Sequence, residues 1–157
     1  MGAMVGTMLL GCAATIPPQL APRVSSHLSF RDVRHAPDAY KGSLVVLGGT
    51  VTQIKATDEG YLVTVRDIPL DGSSRYRPAI NQPSDGTFVL KVPRHELPRN
   101  LRAGAEVTIV GEVLGTGEPW HDGQVMAVPL LAEQYIHVWG PSWWPRFQIN
   151  IWGTASP

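Results

Sequence analysis

Residues 43–54, Ser43-Leu44-Val45-Val46-Leu47-Gly48-Gly49-Thr50-Val51-Thr52-Gln53-Ile54, are too rich in β-branched side chains for a comfortable helix. Branching at Cβ freezes χ1 against the preceding turn and favours a pleated surface instead. The run reads as one long strand, bent where Gly48-Gly49 interrupts it. Glycine inside a strand marks a bulge or a barrel corner, where the chain curls without side chains colliding. C-terminal to it, Asp58-Glu59-Gly60 makes a turn into Tyr61-Leu62-Val63-Thr64-Val65-Arg66, with Tyr61, Val63 and Val65 on one face. The two strands form a hairpin.

Three more strands follow. Thr87-Phe88-Val89-Leu90-Lys91-Val92 alternates, with Phe88, Leu90 and Val92 on the core side, and stops at Pro93. Glu106 to Leu114 is the strongest strand pattern, aligning Val107, Ile109 and Val113 with Gly111 midway. Gln124 to Leu131 makes the fifth, interrupted at Pro129. Between them, Pro69 to Gly86 is a long excursion rich in turn residues, and Arg94 to Leu101 holds a brief helical turn. N-terminal to the first strand, Ser29 caps a short helix in Phe30-Arg31-Asp32-Val33-Arg34 that ends before Pro37, because the residue before proline avoids helical geometry. Five strands, with Phe147, Ile149 and Ile151 alternating as a sixth, predict an all-β fold: a small five- to six-stranded OB-like antiparallel barrel. A plain antiparallel sandwich is the competing architecture.

The 157 residues suffice for one domain, and 13 basic against 13 acidic residues leave no net field to draw in a phosphate backbone. No nucleic acid partner is expected, although an OB-like barrel with Arg75-Tyr76-Arg77 keeps an oligonucleotide binder as a remote alternative. One cysteine cannot form an internal disulfide. It ends Leu9-Leu10-Gly11-Cys12, which resembles a bacterial lipobox: Leu9, Leu10 and Gly11 would direct signal cleavage, and Cys12 would take the lipid. No Lys or Arg precedes Cys12, whereas a secretory signal opens on basic residues, so a longer upstream start is expected. The alternative is a frayed apolar N-terminus with a free thiol. Ala13 to Pro22 carries three prolines and reads as an extended tether, giving the division 1–11 signal segment, 12–28 Pro-rich tether, 29–138 barrel and 139–157 Trp-rich C-terminal segment.

Chemistry-bearing motifs are sparse. His27, His35, His95, His121 and His137 are far apart and match no metal-ligand spacing, so no metal and no cofactor is expected. His95-Glu96 and His121-Asp122 are neighbours that would point apart on an extended chain. No nucleophile elbow or phosphate loop is present, so no catalytic residue is assigned. An envelope enzyme remains the alternative if polar groups of the 69–86 loop converge in a pocket. Trp139, Trp143, Trp144 and Trp152 hold four of the five tryptophans, as packing over a barrel end or as an interaction patch for an envelope protein, peptidoglycan or lipid headgroups.

In order and spacing, several short motifs resemble the Slp-type, starvation-inducible outer-membrane lipoproteins. They are Leu9-Leu10-Gly11-Cys12 with Ile16-Pro17, Tyr40-Lys41-Gly42 before Val46-Leu47-Gly48-Gly49-Thr50-Val51, Pro69-Leu70-Asp71, Arg77-Pro78, Asp85-Gly86-Thr87-Phe88, and Gly104 ahead of Val107 to Gly111. Thr87 stands where the pattern has arginine, and the Trp-rich end falls outside it. The resemblance implies a lipid-anchored, periplasm-facing protein of the Gram-negative outer membrane, held to the membrane through Cys12, with no established catalytic activity. Ala13 rather than Asp after the cysteine implies sorting to the outer membrane.

Overall fold

The computed structural model describes residues 15–140 except 74, 119, 122, 123 and 126. Seven strands are present among them: β1 (Leu44–Ala56), β2 (Gly60–Asp67), β3 (Thr87–Pro93), β4 (Glu106–Gly117), β5 (Trp120–His121), β6 (Gln124–Val125) and β7 (Val128–Val138). β5 and β6 make a small ribbon, while the other five close into a barrel in the order β1-β2-β3-β7-β4. The barrel, rather than the sandwich, is the fold. It departs from a wholly antiparallel layout at β3 and β7, which run parallel through Val89↔Leu130 to Lys91↔Ala132.

The glycine pair sits at the predicted corner. β1 pairs with β4 from Leu44 to Thr50 and with β2 from Gly49 to Ala56, so the strand changes partners at Gly49-Thr50. A Cβ on Gly49 would lie 2.3 Å from the Arg66 carbonyl oxygen, and one on Gly48 would lie 2.6 Å from Leu70 Cδ2. Glycine here admits a crossing strand and a covering loop. The register shift itself falls between Val51 and Gln53, beyond the glycines.

Of the residues predicted to share an inward face, Val63, Val65, Phe88, Leu90, Val92, Val107, Ile109 and Val113 lie in one core, with Tyr61 packed against it; Val45, Leu47, Val51 and Leu131 join them. α1 (Phe30–His35) caps the end where β2 finishes and β3 begins. Its Ser29 and Asp32 form a reciprocal capping box, with Ser29 N donating to Asp32 Oδ2 at 2.8 Å. Phe30 and Val33 enter the core, Phe30 packing 5.8 Å from the Phe88 ring. Leu101, from the β3–β4 connector, joins the same core.

Two expectations meet a different arrangement. The segment read as an extended tether is packed from Thr15 onward: Ile16 and Leu20 are buried against Leu44 and Val110, the chain turns through Ala21–Arg23, and Val24 bridges to Leu44. β1 and β4 carry apolar residues on their outer faces as well, and the two side chains four apart cover them. The fifth barrel strand runs over 128–138 rather than 124–131, with Pro129 accommodated near its start opposite Thr116.

Candidate functional site

A cleft of about 540 Å³ opens on the barrel side between the N-terminal strap at Val24–Arg31, the β1 segment Val46–Gly48, and the chain leaving β2 at Asp67–Leu70. Such a volume falls within the range of small-molecule sites, about 300–1,000 Å³. Its walls are mostly apolar, with Val24, Leu28, Phe30, Ile68, Leu70 and Tyr76 among them. The covering loop is more ordered than a turn-rich excursion suggests. Asp71 N donates to the Arg77 carbonyl at 2.8 Å, Ala79 N donates to the Pro69 carbonyl at 2.8 Å, and Leu70 bridges Pro78.

Asp67, the last residue of β2, is the buried carboxyl among the residues that line the cleft. Strand alternation carries Tyr61, Val63, Val65 and Asp67 to one face, so the carboxyl follows three core positions inward and is only 3% exposed. Burial raises its pKa, pushing it up to about 7, with the nearby Asp85 charge adding to the rise and the Asp85 backbone amide opposing it. A buried carboxyl that remains unpaired with a cation holds its proton in this way. Asp85 itself is engaged: Arg31 Nη2 donates to Asp85 Oδ2 at 3.1 Å, and Arg34 donates to the Asp85 carbonyl. These contacts clamp α1 over the start of β3, and they occupy the nearest guanidinium.

Sequence reasoning assigned Asp67 no role. Its signal was present as a charge placed in phase with inward-facing valines. The polar groups of the 69–86 loop split between two places. Asp85 and Tyr76 reach the cleft. Arg77 turns instead toward Glu106 at 3.6 Å, with its guanidinium 5.1 Å over the Trp139 ring. Among the described residues, those lining the cleft include serines and carboxyls but no histidine or lysine.

Trp139, expected at the head of a separable tail, is docked on the barrel. Its Nε1 donates to Thr108 Oγ1 at 2.9 Å, and Thr108 donates in turn to the Tyr76 carbonyl, tying β4, the covering loop and the C-terminal end together. The backbone N–H of Trp139 donates to the Glu106 carbonyl at 2.9 Å, and His137 meets the indole edge-on at 4.5 Å. Burial holds the His137 pKa below its ordinary value. Tyr76, which shares this tie, adopts φ 54°. Trp143, Trp144 and Trp152 lie outside the described residues, as do Leu9, Leu10, Gly11 and Cys12.

Among the described residues the histidines are not gathered into a site. His95 and Glu96 meet at 3.3 Å, contrary to the expectation for an extended chain, because they sit on a turn; both are exposed. Among the described residues no three His, Cys, Asp or Glu side chains stand close enough to hold a metal ion.

The comparisons with known proteins give one relation. A barrel of this build with a lipobox-like stretch ahead of it is matched, over residues 9–150, by the description "Outer membrane lipoprotein Slp family". The chain therefore belongs to the Slp family of outer-membrane lipoproteins. The match runs past the point where the resemblance stopped, taking in Trp139, Trp143 and Trp144. No curated protein and no solved structure matches the chain.

Proposed function

We propose that this outer-membrane lipoprotein is anchored by acyl chains on Cys12 after cleavage behind Leu9-Leu10-Gly11, faces the periplasm, and works as a non-catalytic binding module of the cell envelope. The observation that carries the binding reading is the cleft, a largely apolar-walled recess of about 540 Å³ with one buried carboxyl, Asp67, in its lining. The barrel is of the OB type in this reading, supported by its closed five-strand order. Anchoring is supported by the family match, which begins at the first residue of Leu9-Leu10-Gly11-Cys12. Several acyl chains anchor stably where one binds only marginally.

Two measurements test this. Cys12→Ser should move the protein from the outer-membrane fraction to the soluble periplasmic one, and retention in the membrane would reject the anchor. The neutral dye N-phenylnaphthylamine should bind the soluble Cys12→Ser chain saturably, one molecule per chain, and Val46→Trp, which fills the cleft wall, should abolish that signal. Dye binding that persists in Val46→Trp would remove the cleft from the reading. The tail from 141 onward, starting beside the docked Trp139, supplies a second contact for an envelope protein or peptidoglycan in this proposal.

A further inference from the structure

We infer that the cleft is a site for an ammonium group carried on an apolar body, with the Asp67 carboxylate as its counter-charge. This rests on the binding-module reading and adds the chemistry of the ligand. Three observations lead to it.

The first is the state of Asp67. The residue is 3% exposed and lines a cleft whose other walls are largely apolar. No side chain among the described residues donates a hydrogen bond to it; the Asp85 amide is the donor directed at it. A carboxylate has room for about four hydrogen bonds, so one backbone amide leaves most of its acceptor capacity open.

The second is the charge balance around it. From α1, Arg31 reaches the rim, but its guanidinium is taken by the Asp85 carboxylate, and Arg34 is spent on the Asp85 carbonyl. The β1 segment and the strap before α1 contribute apolar and hydroxyl side chains to the lining, with no charge. Arg34 keeps its charge but does not line the cleft; among the lining residues Arg31 and Asp85 pair with each other, which leaves Asp67 as the lining carboxylate without an ion-pair partner whenever it is ionised. A cation entering the cleft restores neutrality, whereas an anion would place a second negative charge beside it.

The third is the shape of the walls. Val24, Leu28, Ile68 and Leu70 offer apolar surface continuous with the carboxyl, so a bare metal ion or a small polar cation would leave that surface unmatched. An amphiphilic amine satisfies both, with its chain against the aliphatic walls and its N–H donors at the carboxylate. Hydrogen bonds to charged groups are the stronger ones, which gives the amine its selectivity over a neutral chain of equal length.

The test uses the full chain with Cys12→Ser and displaces bound N-phenylnaphthylamine with octylammonium, octanol and octanoate. Octylammonium is expected to displace the dye at a concentration about tenfold to a hundredfold below the other two, the margin set by a charge-assisted bond. Asp67→Asn should erase that margin and leave octanol unchanged. In the unaltered Asp67 protein, carbon NMR of the Asp67 carboxyl should show its titration midpoint falling when octylammonium is added. Equal displacement by all three compounds overturns the ammonium assignment and leaves a binding module standing. A dye that never binds overturns both. An Asp67→Asn variant that keeps the margin, or a carboxyl midpoint that stays put, overturns the role of Asp67.

Discussion

Asp67→Asn should stabilise the barrel at alkaline pH and remove a pH dependence that the native chain carries. Burial and the Asp85 charge lift the Asp67 carboxyl from 3.8 to about 7 in the folded protein. The folded state therefore holds this proton more tightly than the unfolded chain, which releases it near 3.8. Between those two values the native state binds more protons, so stability falls as pH rises and levels off above about 7. At about 1.36 kcal/mol per pKa unit, a rise of roughly three units amounts to about 4 kcal/mol, set against a typical total of about 5–15. The portion lost between pH 5.5 and 8 is about 2 kcal/mol. Asparagine is neutral throughout and fills the same space. The stability of Asp67→Asn relative to the native chain should therefore grow by about 2 kcal/mol from pH 5.5 to 8, read as the difference between two urea unfolding curves. Glu133, raised by its own burial, acts in the same direction as Asp67. His137, lowered by burial, acts in the opposite one, adding stability as pH rises through its unfolded value of 6.5. Both are present in each protein and cancel in the comparison. Native and variant stabilities that track in parallel across this range would refute the burial argument.

Gly111→Val should cost about 1–3 kcal/mol, because the β4–β7 register shifts beside Gly111 and a Cβ there would lie 2.9 Å from Leu131 Cδ2; an unchanged urea midpoint would show that the strand has room. Gly48→Ala should lift the covering loop by driving its Cβ within 2.9 Å of the Ile68 carbonyl oxygen, seen as faster limited proteolysis between 68 and 79. Trp139→Leu removes the bond to Thr108 and the stacking of Arg77, and is expected to lower stability by about 1–2 kcal/mol in the same urea assay. A stop after Gly140 keeps that indole and should leave cooperative melting intact while weakening association with envelope components; loss of cooperative melting would make the tail part of the core.

The barrel was legible because its strands obey a local rule. The inward sets of residues 61–66, 87–92 and 106–114 follow from alternation, whereas 43–54 was legible as a bent strand from its β-branched content and its glycine pair. What escaped depends on partners distant in sequence. The outer faces of Leu44 and Val110 need a cover, and nothing local in Thr15–Val24 announces that Ile16 and Leu20 will supply it, particularly among prolines that favour extended chain. The far half of β7 was missed because Glu133 and Gln134 lack the apolar signature; its pairing with β4 holds it in place. Asp67 was overlooked because the strand was ended at Arg66, one residue before the alternation delivers a charge to the interior.

The burial of Ile16 has a mechanical meaning. Three residues separate it from Cys12, and four steps of at most about 3.6 Å each would hold the proposed lipid on that cysteine within about 14 Å of Ile16. Such a protein is moored rather than tethered. Anchored in the proposed way, it would keep one side turned to the bilayer, and as the proposed periplasm-facing binding module it would meet its targets at a frequency set by their surface density instead of their bulk concentration.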